Sequence, residues 1–198
     1  MASTHADGAH SEPRETLICN GERFRVYLTA DTIRRRVAEL GTQISEDYEG
    51  RRPVLVGVLN GAFVFMADLM REMSIDCEVD FIKLSSYGDA KITSGIVRDL
   101  KTVDADLAGR HVIVVEDIVD TGLSIQYLIG RLREHSPASI RTVALLHKYE
   151  ATAPGVAIEY VGFRIKDLFV VGYGLDFAQA GRNFRHIFIQ DAESEGDG

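Results

Sequence analysis

Thiols, basic excess and long apolar runs are what this 198-residue chain has least of. Its two cysteines, Cys19 and Cys77, stand in no metal-type spacing. That argues against a cysteine metal site and reads as reduced, packed thiols, which fits a cytoplasmic home. Acidic residues outnumber basic ones by 30 to 22, for a formal net charge of −8. No nucleic-acid partner is expected, because neutralising a phosphate backbone takes basic stripes. No apolar run approaches membrane-spanning length, so no membrane partner is expected either. A basic segment followed by an apolar one is missing after Met1, so no secretory signal is evident. There is no internal repeat and no linker long enough to divide the chain. At this length one domain with a substantial core is the natural expectation.

What the chain does have is concentrated between Val112 and Ser124, V-I-V-V-E-D-I-V-D-T-G-L-S. Four apolar residues without alternation, Val112 to Val115, read as a strand buried on both faces, as in a parallel sheet. Glu116 and Asp117 follow, then Asp120. Charge does not sit unpaired in a sheet interior, so these acids should mark the strand's carboxyl end. Thr121, Gly122 and Ser124 can form a tight turn whose N–H groups converge. From Ser124 to about Glu134 the spacing is helical, with Ile125, Leu128, Ile129 and Leu132 at i, i+3, i+4 and i+7. Strand, acidic corner, small-residue loop and helix together suit an anion, because open α/β sheets bind ligands at this edge and a helix N-terminus favours phosphate. Carboxylates would repel that anion, unless they bind ribose hydroxyls or hold Mg2+ that bridges to more phosphate. The plainer reading, ordinary strand-end and cap residues, serves for one acid and poorly for three beside T-G-x-S.

The rest of the chain repeats the alternation. Residues 1–15 are small and polar and read as a disordered tail, as do 192–198. A short strand is expected near Phe24 to Leu28. A helix capped by Thr29 or Asp31 should run to about Tyr48, with Ile33, Val37, Leu40 and Ile44 inward and Arg34, Arg35 and Arg36 on a solvated face. Val54 to Leu59 is a second buried strand, and Leu59-Asn60-Gly61 a second loop between a strand end and a helix start: an anion site or a plain turn. Ala62 to Met73 is apolar on two sides and should be well buried. Val79 to Leu84 alternates as a strand, Ser85 to Ser94 reads as a mobile loop or hairpin tip, and Ile96 to Leu100 returns. Ile140 to Leu146 is an apolar strand ending in His147-Lys148-Tyr149. Val156 to Phe163 and Ile187 to Ile189 are further strands, and F-V-V-G-Y-G-L-D-F spans Phe169 to Phe177. Apolar runs separated by helices give βαβ topology and a mainly parallel sheet.

The E-D-I-V-D-T-G stretch resembles the 5-phosphoribosyl-1-pyrophosphate (PRPP) signature of the type I phosphoribosyltransferases, and looks most like that of their hypoxanthine-guanine members. The resemblance covers about Phe24 to Ile189. It implies an α/β fold: a mainly parallel five-stranded sheet flanked by helices, one domain over 16–191, and a small hood from both chain ends. It implies transfer of a ribosyl phosphate from PRPP to hypoxanthine or guanine, giving IMP or GMP and pyrophosphate, with Mg2+ as cofactor.

On these residues the resemblance places Glu116 and Asp117 at the ribose hydroxyls and the metal. Asp120, Thr121, Gly122, Leu123 and Ser124 would hold the 5-phosphate, with Asp120 also the base at purine N7. Leu59, Asn60 and Gly61 match the pyrophosphate loop, where a non-proline cis peptide is usual, and Arg182 a pyrophosphate contact. Asn60 and Leu168 stand where relatives often carry Lys. Lys148 would meet the 6-oxo group, Phe169 stack on the purine and Val170 meet its edge. Asp176, beside the purine, matches a second metal carboxylate, and the Ser86-Tyr87 loop closes over the site. A homodimer or homotetramer is implied. A PRPP-responsive regulator and a transferase for another base are the alternatives. The negative charge and the lack of a helix-turn-helix segment before Phe24 weigh against the first.

Overall fold

The computed structural model describes residues 15–86 and 97–191. Its centre is the pair of apolar runs expected to be parallel strands. β3 (Val54–Leu59) and β6 (His111–Val119) lie side by side, with Val54 to Gly57 in register against Val112 to Val115. Both are buried on two faces because helices cover them: α1 (Ala30–Asp47) and α2 (Phe63–Glu72) on one side, α3 (Leu123–Arg133) on the other. β4 (Glu78–Ser86) flanks β3, and β7 (Ser139–Lys148) and β8 (Tyr160–Ile165) extend the sheet beyond β6, all parallel. The antiparallel strand β5 (Val97–Lys101) completes the order β5-β4-β3-β6-β7-β8. The five parallel strands therefore end at one edge.

α1 shows how the pattern becomes packing. Thr29 caps it, its hydroxyl accepting the Thr32 N–H at 3.2 Å. Ile33, Val37, Leu40 and Ile44 recur on one face and are buried. Each such side chain contributes roughly 1.5–3 kcal/mol when removed from water. Arg36 is not simply solvated. Its Nε donates to the Gly162 carbonyl at 2.9 Å and its Nη2 to that of Val161 at 2.7 Å, tying α1 to the outermost parallel strand.

A second sheet, in the antiparallel order β1-β2-β10-β9, joins the two chain ends. It comprises β1 (Thr16–Cys19), β2 (Glu22–Leu28), β9 (Val170–Val171) and β10 (Ile187–Gln190). Leu17, Cys19, Phe24, Val171 and Phe188 form its own apolar cluster. Cys19 and Cys77 are free thiols.

Several expectations are corrected. Thr16–Cys19 is a strand without an alternating run long enough to announce it. The strand expected over 156–163 starts only at Tyr160. Of the stretch from Phe169 to Phe177 only two residues are strand; the rest folds into turns. α2 is not buried on two sides: Phe63 and Met70 are exposed at 45% and 39%. Among the described residues no helix is long and apolar enough to cross a membrane. Of the segments expected as tails, 1–15 and 192–198, all but Glu15 lie outside the described residues; the Glu15 carbonyl accepts the Val26 N–H at 3.0 Å.

Candidate active site

β3, β6 and β7 are neighbours, so their carboxyl ends bring Leu59-Asn60-Gly61, Glu116 to Ser124 and Lys148 to the same edge. β6 does not stop at its acids. It continues through Val119, and Glu116 stays paired in register with Ala144. The expectation that unpaired charge would end the strand is therefore corrected. Glu116 is buried and its Oε2 has no hydrogen-bond partner. Burial, reinforced by repulsion from Asp117, pushes its carboxyl well above the usual range. Asp117 is pushed up to about 6, chiefly by burial, although the Ile118 N–H donates to its Oδ1 at 3.0 Å and Arg182 pulls the other way. An orphaned acceptor of this kind is an exception among buried polar groups and calls for a ligand or cation.

The loop after β6 is pinned from below. The Thr152 hydroxyl donates to the Asp120 carbonyl at 2.6 Å, and the Ala153 N–H to that of Thr121 at 3.0 Å. Gly122, at φ 80°, is the residue before α3, and a Cβ there would overlap Val156. Thr121 Oγ1 lies 3.5 Å from the Leu123 N–H. The first helical hydrogen bond is Gln126 N–H to Gly122 C=O at 3.0 Å, no side chain caps the helix, and no acid stands in its first turn. Leu123 N–H donates to Thr121 Oγ1, and the amides of Ser124 and Ile125 precede the first helical hydrogen bond, at the positive helix end that suits an anion.

Leu59–Asn60 is a cis peptide, the geometry that the resemblance implies for this loop. A Cβ on Gly61 would overlap the Asp117 carboxylate, so the loop lies directly against the acidic corner. The carbonyl of Gly61 in turn supports Gly174 so closely that a Cβ there would overlap it. Gly174 belongs to the first of two tight turns, Tyr173-Gly174 and Ala178-Gln179, both with positive φ at each central residue. Asp176 lies between them. Its Oδ2 accepts the Gln179 N–H at 2.8 Å and its Oδ1 pairs with Arg182. Arg182 also donates to the Gly174 carbonyl at 2.8 Å.

The other end of the edge is built around Lys148. Its Nζ is 3.0 Å from Asp120 Oδ2 and 2.7 Å from Asp167 Oδ1. Burial alone would lower the ammonium's pKa, but these two carboxylates hold it above the usual lysine range. Lys148 pairs in register with Ile165, so Phe169 follows closely after its strand partner. Phe169 is 46% exposed and leans on Phe24 and Phe177 at ring distances of 6.2 and 5.3 Å. Val170 is buried on β9, the edge strand of the second sheet, where one row of backbone groups has no strand partner among the described residues.

Of the expected closing pair, Ser86 is the last residue of β4, and Tyr87 lies outside the described residues. Asp167 and Thr152 were not anticipated. Each sits in a turn, where neither periodicity nor composition distinguishes a site residue. Among the described residues no three His, Cys, Asp or Glu side chains close on a single point to hold a metal ion, Glu116, Asp117 and Asp176 included.

A phosphoribosyl transferase domain model matches residues 27–178. The chain is 40% identical over 197 residues to the hypoxanthine-guanine phosphoribosyltransferase of Mycobacterium tuberculosis, covering 96% of this chain and 98% of that protein. It is similar to the crystal structure of a hypoxanthine-guanine phosphoribosyltransferase from Bacillus anthracis that holds a HEPES molecule in its active site. The TM-score is 0.80 at 41% identity, over 83% of this chain and 96% of that one. A Trypanosoma cruzi hypoxanthine phosphoribosyl transferase, solved for the role of its C-terminal region in oligomeric state and enzymatic activity, matches with TM-score 0.82 at 38% identity. That match covers 90% of this chain and 95% of the other. With most of its length matched by the domain model and by these relatives, the chain belongs to the phosphoribosyl transferase family.

Proposed function

We propose that the protein transfers the ribosyl phosphate of PRPP to N9 of hypoxanthine or guanine, forming IMP or GMP and releasing pyrophosphate. The observation that carries this reading is the bond between Lys148 and Asp120. It joins a cation suited to a 6-oxo group to a carboxylate suited to a proton on N7, at the rim of an outward-facing helix N-terminus. The ammonium has three donors and no acceptor, so it favours 6-oxopurines and leaves a 6-amino group unpaired.

Each part of the edge has a task in this reading. The 5-phosphate lies on the amides from Asp120 to Ser124. The pyrophosphate lies between Leu59-Asn60-Gly61 and Arg182. Phe169 offers its exposed face to the purine, with Val170 backbone groups at the purine's edge. Asp120 accepts the N7 proton as the bond to N9 forms, and the Ser86-Tyr87 loop excludes water.

Mg2+ fits the acidic corner: carboxylate oxygens are its preferred ligands, and Glu116 Oε2 is an unpartnered buried acceptor. Glu116 and Asp117 would hold it together with the ribose hydroxyls, and Asp176 would serve a second ion. Pyrophosphate and water would complete such sites. Bound there, Mg2+ neutralises charge collecting on the leaving pyrophosphate. A cytoplasmic homodimer or homotetramer completes the reading.

The test offers hypoxanthine, guanine, xanthine and adenine with PRPP and Mg2+, and repeats the assay with Asp120→Asn. Hypoxanthine and guanine should react and adenine should not. The variant should be slower by on the order of 10²–10⁴-fold, the usual contribution of a general base. Retained PRPP binding with no base converted would reject the transferase in favour of a sensor.

A further inference from the structure

Tyr173 sits where a bulky side chain is least expected. It opens the Tyr173-Gly174 turn at φ 52°, between glycines that also have positive φ. Glycine, asparagine or aspartate ordinarily fills such a position. Its side chain is nonetheless buried, at 7% exposure, and its hydroxyl donates to Asp68 Oδ2 at 2.7 Å. Asp68 belongs to α2, the helix that begins just after Asn60-Gly61.

The turn is tied on its other side to the segment carrying Arg182. The Tyr173 N–H donates to the Phe184 carbonyl at 2.8 Å, and the Gly174 N–H to that of Arg182 at 2.9 Å. Arg182 returns a bond to the Gly174 carbonyl, and Gly174 rests on Gly61. One phenolic hydrogen bond thus fastens α2 to a turn that touches both Gly61 and Arg182.

We propose that Tyr173 and Asp68 are positioning residues for the pyrophosphate end of PRPP, fixing the spacing of Arg182 from the Asn60-Gly61 loop. This deepens the transferase reading and rests on it for the identity of the ligand. Neither residue touches the ligand; each acts through Gly61 and Arg182. The clamp is also separable from folding. Tyr173 and Asp68 line a cavity of about 700 Å3 together with Arg34, Phe63 and Phe184. Asp68 already pairs there with Arg71 at 3.0 Å, so losing the phenol strands no buried charge.

Tyr173→Phe removes only the hydroxyl. It should raise KM for PRPP, and for pyrophosphate in the reverse reaction, by about 10-fold, the scale of a hydrogen bond to a charged group. KM for hypoxanthine and kcat should stay within about twofold, because Lys148 and Phe169 do not lean on the turn. Asp68→Asn keeps a carbonyl oxygen to accept the phenol and should stay near wild type, whereas Asp68→Ala should behave as Tyr173→Phe. Calorimetric titration of PRPP with Mg2+ into the same proteins reads the contact without turnover. A wild type that binds PRPP but converts no purine would sink the transferase reading, while weaker PRPP binding by Tyr173→Phe would still support the clamp. Unchanged PRPP affinity in Tyr173→Phe, parallel rises in both KM values, or equal damage from Asp68→Asn and Asp68→Ala would each overturn it.

Discussion

Lys148 Nζ lies between two carboxylates, 3.0 Å from Asp120 Oδ2 and 2.7 Å from Asp167 Oδ1. An ammonium has three N–H donors, so two are committed and their directions fix the third. The ring of Phe169 follows two residues after Asp167, and in the proposed reading the remaining donor meets the purine oxygen. Lys148→Met should therefore do more than remove a contact, because it leaves Asp120 and Asp167 without their shared cation. We expect kcat/KM for hypoxanthine to fall by roughly 10²-fold, as for a site losing a charged hydrogen bond. The preference over adenine should shrink with it. Steady-state rates with both bases check this, and an undiminished preference would remove Lys148 from base selection.

Gly61 is squeezed from two directions, by the Asp117 carboxylate beside its Cα and by Gly174 against its carbonyl. Gly61→Ala puts a methyl group onto Asp117, so the loop or the acidic corner must move. Misplacement by about 1 Å is enough to cost on the order of 10²-fold in rate. The expected signature is a kcat/KM loss of that size for PRPP with a melting temperature close to wild type, since the loop lies at the sheet edge and not in the core. A fall in stability without loss of activity would show that the crowding serves packing alone.

Asp80 is a carboxylate in the opposite situation to Glu116. Burial would raise its pKa, but the amides of Ala105, Phe81 and Asp104, together with Lys101, hold it below the usual range. Stability from such a group is complete above its unfolded pKa and is lost as pH falls through its folded one. Asp80→Asn turns one accepting oxygen into a donor facing amides, and should cost about 1–3 kcal/mol at neutral pH. Urea unfolding should show that penalty shrinking below about pH 4, the unfolded aspartate range. A penalty independent of pH would assign it to packing.

Much of this was legible in the sequence, for identifiable reasons. Val54 to Leu59 and Val112 to Val115 are uninterrupted apolar runs, and burial between helices is what such runs require. Glu116, Asp117 and the Thr121-to-Ser124 loop could be read because their order along the chain is also their order in space. The turns at Tyr173-Gly174 and Ala178-Gln179 could not. Three of their four central residues are not glycine, yet all have positive φ; the first turn is held by Asp68, Phe184 and Arg182, none of them in it, and the second by Asp176, whose carboxylate accepts the Gln179 N–H. Asp167 was hidden for the same reason, since its partner Lys148 is distant in sequence. Glu116 misled because the rule against unpaired buried charge is a rule about folding, and a ligand site can break it.

That broken rule gives a prediction with a definite sign. Burial, then repulsion from Asp117, raises the Glu116 pKa in the folded chain. The folded state therefore holds a proton that the unfolded state has already released, and its stability must fall as pH rises from the unfolded glutamate value toward the folded one. Glu116→Gln cannot ionise and escapes that decline. Without ligand or metal, the variant should be more stable than wild type by roughly 0.5–2 kcal/mol at neutral pH, the usual gain from relieving a functional site. The advantage should vanish below about pH 4, where both side chains are neutral. With PRPP and Mg2+ present the order should reverse, because ligand stabilises only the protein that binds it. Thermal melts of both proteins across pH, with and without PRPP and Mg2+, measure all of this at once. A wild type more stable than Glu116→Gln in the ligand-free state at neutral pH would mean that the carboxylate has a partner within the fold and is not held in reserve for a cation.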